Sequence, residues 1–179
     1  MESARLFVAV WPDAAARAAI RGDLDAIRAA HPELRWQPEE RWHLTLAFLG
    51  AADPSAVARR LDTLARRGLP VAEPVRTVGA GTFGPVLWLG VEHGAWLRGL
   101  ADHVHDVLRP ADRRFRAHVT VARARGEGAE RTAREAAPSL AQHLGPHWLP
   151  DALTLVESRT GPIPTYHVLH HWPLSGGAA

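Results

Sequence analysis

A chain of 179 residues with 46% apolar content has enough material for one core, or for two small lobes sharing one. It contains no cysteine, which excludes a disulfide framework, a thiolate zinc site and a cysteine nucleophile. The net charge is only +2, and all 21 basic residues are arginine; that balance does not by itself mark a nucleic-acid binder, although arginine grips phosphate with a planar fork. No run of about 18 uncharged apolar residues occurs, and MESARLFVAVW lacks the parts of a signal peptide, so the expectation is a soluble cytoplasmic protein.

Arg5 to Trp11 is predicted to be a buried strand. Pro12-Asp13 starts a helix carrying Ile20, Leu24 and Ile27 at helical spacing, which stops at His31-Pro32. Leu34 to Gln37 is a short strand before a Pro38-Glu39-Glu40 turn, and Trp42 to Leu49 is a longer one closed by Gly50. Asp53-Pro54-Ser55 opens a second helix, with Val57, Leu61 and Leu64 on one face and Gly68 as its stop. Strands over Val71–Val78 and Val86–Val91 flank a glycine-rich turn, GAGTFGP. A third helix runs from Gly94 to Leu108, followed by a strand over Phe115–Ala122. Glu130 to Leu144 is helical but broken by Pro138. Leu153–Ser158 and Tyr166–Trp172 are strands joined by TGPIPT, and residues 175–179 form a frayed tail. This order predicts an α+β fold, bilobal, with two mainly antiparallel sheets and outer helices. Residues 1–179 are expected to form a single two-lobed domain, and the chain a monomer.

One pattern occurs twice: His43-Leu44-Thr45-Leu46 and His118-Val119-Thr120-Val121, with the histidines 118 − 43 = 75 residues apart. Chance yields about 0.1 occurrences of such a pattern in a chain of this composition. Side chains alternate across a strand, so each His and Thr share one face and the aliphatic residues occupy the other. Pseudo-two-fold symmetry then brings two imidazoles and two hydroxyls to one central cleft. Imidazole titrates near neutrality, so one His can act as base while the other acts as acid. Threonine hydroxyls can donate to phosphoryl oxygens as charge builds there. Opening a cyclic phosphodiester in line needs such a pair and requires no metal or cofactor.

Two His-x-Thr-x motifs on an α+β chain resemble the two-histidine (2H) phosphoesterase superfamily. LRWQPEERWHLTLAFLG, VLWLGV, FRAHVTVAR and the closing YHVLHHWPL further resemble its RNA 2′,3′-cyclic 3′-phosphodiesterase family, also called 2′-5′ RNA ligase-like, from about Arg5 to Leu174. The resemblance implies metal-independent hydrolysis of a 2′,3′-cyclic phosphate, on an RNA end or a nucleotide, to a 2′-phosphate. It implies that His43 is the proton donor, His118 the proton acceptor, and Thr45 and Thr120 phosphate-binding residues. Arg123 commonly has its counterpart near the phosphate, although strand parity turns it away from His118 and Thr120 unless the strand bulges. Two departures stand out: Ala117 replaces a usual proline, and TFGP is a brief turn that leaves fewer residues for substrate contact.

Trp36, Phe83 and Phe115 are candidates for stacking a base, as is Trp42, while the parity of Phe48 assigns it to the core. Arg116 has cleft parity. His167, His170 and His171 lack a carboxylate to complete a metal site, and His103 and His105 are expected at the surface. Two other functions remain open: a non-catalytic nucleotide- or RNA-binding module, and a 2H phosphoesterase for another small phosphodiester.

Overall fold

The computed structural model describes residues 4–159 and 165–176. β1 (Ala4–Val10) leads into α1 (Ala14–Arg28), whose first turn is capped by Asp13: its carboxylate accepts the Ala16 N–H at 2.8 Å. Ile20 and Leu24 face inward from α1 with no exposure. β2 (Arg35–Trp36) and a single 3-10 turn, Glu39–Arg41, precede β3 (Leu44–Ala52). Asp53 caps α2 (Pro54–Arg67), and Gly68 ends it with φ of 98°, a conformation that favours glycine.

β4 (Arg76–Phe83) and β5 (Val86–Glu92) form a hairpin. The glycine-rich turn expected over GAGTFGP is mostly strand; only Gly84-Pro85 turns. Gly81 serves packing instead, because a methyl group there would collide with the Trp88 ring. α3 (Ala95–Leu108), β6 (His118–Arg123) and α4 (Ala129–Ala136) follow, and Pro138 turns the end of α4 into a 3-10 segment, Ala137–Leu140. β7 (Ala152–Arg159) and β8 (Thr165–Pro173) complete the strands among the described residues. The turn expected over 160–165 lies, apart from Thr165, outside the described residues, as do residues 177–179 of the expected tail. Ser175 and Gly176 are not frayed: the Ala72 N–H donates to the Ser175 carbonyl at 2.8 Å, and Gly176 bridges to Ala72.

The α+β class and the antiparallel pairing match the sequence expectation. The two expected sheets are instead one eight-stranded sheet, ordered β4-β5-β6-β3-β1-β7-β8, with β2 also pairing β6. Among the described residues its halves meet at a single residue pair, Leu44 with Val119, so the two-lobed character survives as a narrow seam. The main core lies on the helix side and includes Leu6, Val8, Val10, Leu44, Leu89 and Val119. Each fully buried aliphatic side chain there contributes about 1.5–3 kcal/mol. On the opposite side Phe7, Ala9 and Val156 form a second cluster, against which Trp11 and Tyr166 pack.

Candidate active site

The seam positions the repeated motifs. Leu44 and Val119 are the second residues of their motifs, so their pairing sets each His and Thr on the face away from the main core. His43, Thr45, His118 and Thr120 line one cleft of about 490 Å³, together with Gln37, Arg41, Arg116, Arg123, Phe83 and Tyr166.

Both histidines are held in the same way. His43 Nδ1–H donates to the Arg41 carbonyl at 2.7 Å, and His118 Nδ1–H donates to the Arg116 carbonyl at 2.6 Å. A carbonyl can only accept, so Nδ1 carries hydrogen in each ring and Nε2 is the nitrogen left for chemistry. Neither Nε2 has a protein partner among the described residues. His43 stacks on Phe7, with ring centroids 4.8 Å apart, and meets Trp11 at 5.2 Å and Tyr166 at 5.4 Å. Phe83 and Trp88 bracket His118 at 5.0 and 6.1 Å.

Burial favours the neutral form of both rings. It pushes the pKa of His43 down to about 4, with the nearby His118 adding to the shift. His118 is also lowered, first by burial and then by the charges of Arg116 and Arg123. In both cases the bond to the backbone carbonyl opposes the shift without overcoming it.

Beyond the threonine each motif strand bulges at the same position. Val8 pairs with Ala47 and Ala9 with Thr45, leaving Leu46 extra. Leu87 pairs with Ala122 and Trp88 with Thr120, leaving Val121 extra. The bulge carbonyls are both held: His105 Nε2–H donates to Leu46 O at 2.8 Å, and the Gln37 N–H donates to Val121 O at 2.8 Å. An extra residue reverses strand parity. Arg123 therefore lines the cleft, as the sequence reading allowed only for a bulged strand. Phe48 does so too, at 64% exposure, which corrects its assignment to the core. His105 is also corrected: it is buried, and it anchors the bulge.

Of the aromatic candidates, only Phe83 lines the cleft, with the Arg116 guanidinium 5.1 Å from its ring centroid. Trp36 lies outside the lining and donates its Nε1–H to the His31 carbonyl. Phe115 is buried beside Arg98 and His93, and Trp42 is buried in the main core. Sequence reasoning missed Arg41, Gln37 and Tyr166. Arg41 lies over the Tyr166 ring at 5.4 Å, and no local pattern announced that contact across distant strands. Among the described residues no three His, Asp or Glu side chains gather into a group able to hold a metal ion.

The family model of the 2′-5′ RNA ligase superfamily matches residues 11–162, most of the chain and both motifs. The chain belongs to that superfamily. A curated relative, the RNA 2′,3′-cyclic phosphodiesterase of Geobacillus stearothermophilus, is 29% identical over 98% of this chain. The chain spans 59% of the length of that relative. Among solved structures, TT0787 of Thermus thermophilus is 27% identical with a TM-score of 0.77, covering 97% of this chain and all of that one. Escherichia coli LigT, complexed with ATP, is 26% identical with a TM-score of 0.68, covering 98% of this chain and 99% of LigT. No helix among the described residues is long and apolar enough to cross a membrane.

Proposed function

We propose that this member of the 2′-5′ RNA ligase superfamily is a 2′,3′-cyclic phosphodiesterase acting on RNA ends or nucleotides, and that its two lobes work as one domain. One observation carries the reading: two equivalent histidines, each with Nδ1 tied to a carbonyl, leave both Nε2 atoms to a shared cleft. The name of the Geobacillus relative supports it, and so does LigT, whose structure with ATP has a nucleotide in the same fold.

His118 Nε2 takes a proton from water, whose oxygen attacks phosphorus. The bond from phosphorus to the ribose 3′-oxygen breaks, and His43 Nε2–H protonates that oxygen. The products are a 2′-phosphate and a free 3′-hydroxyl. Thr45 and Thr120 donate to the phosphoryl oxygens, and Arg123 offsets their charge. A base must be neutral, and burial first, then the charges of Arg116 and Arg123, keep His118 so. His43 can act as donor only once protonated, which its pKa of about 4 opposes until a phosphate anion occupies the cleft.

The test offers 2′,3′-cyclic AMP to the protein with chelator present, and identifies the product by phosphorus NMR. A 2′-phosphate is expected, with kcat reduced by about 10²–10⁴ in both His43→Ala and His118→Ala. A 3′-phosphate product overturns the direction of opening, and full turnover in either variant overturns the acid–base pair.

A further inference from the structure

A second cavity, of about 460 Å³, opens from the proposed catalytic cleft. Arg41, Phe48, Arg123 and Tyr166 line both spaces, so the two are continuous. Beyond them the second cavity adds Arg5, Arg35 and Arg125, bringing its arginines to five, and no acidic side chain among the described residues lines it. Arg5 lies two residues before Phe7 on β1, and Arg125 lies two beyond Arg123, with Ala124 buried between them. On β1 strand alternation sets Arg5 on the face of Phe7, and Arg125, just past the end of β6, lines the same cavity as Arg123.

Four of these arginines lack a carboxylate partner. Elsewhere arginines have carboxylate partners, as Arg21 has Glu39 and Arg76 has Glu92. Among the described residues Arg5, Arg41, Arg123 and Arg125 have none. Like charges gathered without counter-charges repel, which suits a site completed by an anion. Phe48 and Tyr166 stand where the cavities join and offer aromatic surface, and a basic track with aromatic platforms is how single-stranded nucleic acid is held.

We propose that this arginine-lined cavity is a subsite for the nucleotide preceding a cyclic-phosphate end, where its arginines take the adjoining phosphodiester. The proposal rests on the reading of the cleft as a cyclic phosphodiesterase site. An RNA strand ending in a cyclic phosphate leaves that nucleotide by its 5′-oxygen, so the next phosphate lies one nucleotide along. A cyclic mononucleotide has no phosphate to place there. The subsite therefore makes the protein selective for RNA ends over free cyclic nucleotides.

The test compares kcat/KM for 2′,3′-cyclic AMP with that for a tetranucleotide ending in a 2′,3′-cyclic phosphate, in the full chain and in the double variant Arg5→Gln/Arg125→Gln. The intact chain should favour the tetranucleotide by about tenfold or more, and less so as salt rises. The double variant should lose most of that preference while its mononucleotide kcat/KM stays within about twofold, with unchanged circular dichroism as the check on folding. Equal rates on both substrates in the intact chain, or equal losses on both in the variant, overturn the subsite. A second arm measures binding of the tetranucleotide bearing a 2′-phosphate end by fluorescence anisotropy. Arginine-dependent binding without turnover would sink the catalytic reading and keep the subsite. Binding indifferent to the double substitution would overturn the subsite whatever the turnover.

Discussion

Leu44 on β3 pairs with Val119 on β6, and among the described residues it is the only pair joining β3 to β6, where the two halves of the sheet meet. Both are second in their motifs, so the approximate two-fold axis runs between the two histidines rather than beside them. The same symmetry extends through the bulges at Leu46 and Val121 to Phe48 and Arg123. The repeat is thus six residues long, HLTLAF against HVTVAR, and only its last position differs in chemistry.

The titration of the two rings should be visible in kinetics. Burial gives both histidines pKa values below the ordinary 6.5, His43 at about 4. The proposed mechanism needs one ring protonated and the other neutral, so kcat/KM, which reports the free protein, should follow a bell with both limbs on the acidic side of neutrality. The bound phosphodiester anion favours the cations, so the kcat profile should lie at higher pH than the kcat/KM profile. Rates on 2′,3′-cyclic AMP across pH measure both; the limbs belong to the pair and not to either ring alone. Coincident profiles would mean that substrate charge does not reach the histidines.

His43 should also leave a mark on stability. Its pKa is about 6.5 when unfolded and about 4 when folded, so between those values the unfolded chain binds more protons. Its contribution is complete above about pH 6.5 and falls as pH drops toward about 4, by about 3 kcal/mol in all. Urea unfolding at pH 7 and at pH 4.5 should show a smaller fall in His43→Gln than in the intact chain. The remaining fall contains the lesser shift of His118, which has the same direction.

How far the sequence foretold this site is set by parity. Alternation within each motif was enough to place His43 with Thr45 and His118 with Thr120, because nothing interrupts a three-residue count. It failed at Phe48, and it left Arg123 conditional, because Leu46 and Val121 each insert one residue without a glycine to announce it. GAGTFGP failed in the opposite sense: its glycines look like a turn, but Gly81 makes room for the Trp88 ring inside a strand. Tyr166 and Arg41 were invisible for another reason. Their contact joins β8 to the 3-10 turn before β3, and sequence spacing holds no information about such a meeting.

His105 turns one of these bulges into a testable element. It reaches from α3 to the Leu46 carbonyl, and both residues are buried, so losing the donor strands a buried acceptor. His105→Ala should cost about 1–3 kcal/mol in urea unfolding, the usual cost of stranding a buried acceptor. His105→Gln keeps a side-chain donor and should recover part of the loss. A loss in Gln equal to that in Ala would show that ring packing, and not the hydrogen bond, holds the bulge.

The difference between Phe48 and Arg123 should separate the jobs of the two lobes. Both occupy the same place in the symmetric repeat and both line the cleft, but one offers a ring and the other a fixed positive charge. On the proposed reading Arg123→Ala removes a charge-assisted contact to phosphate of about 1.5–3 kcal/mol, so kcat/KM should fall by about 10–100-fold with any cyclic nucleotide. Phe48→Ala leaves the phosphate contacts intact and removes only a stacking surface, so its loss should depend on the base, greater for cyclic AMP than for cyclic UMP, and appear in KM more than in kcat. The four rates, two variants on two nucleotides, decide the matter. Equal losses on both bases in Phe48→Ala would remove its stacking role, and a base-dependent loss in Arg123→Ala would mean that the arginine reads the base as well as the phosphate.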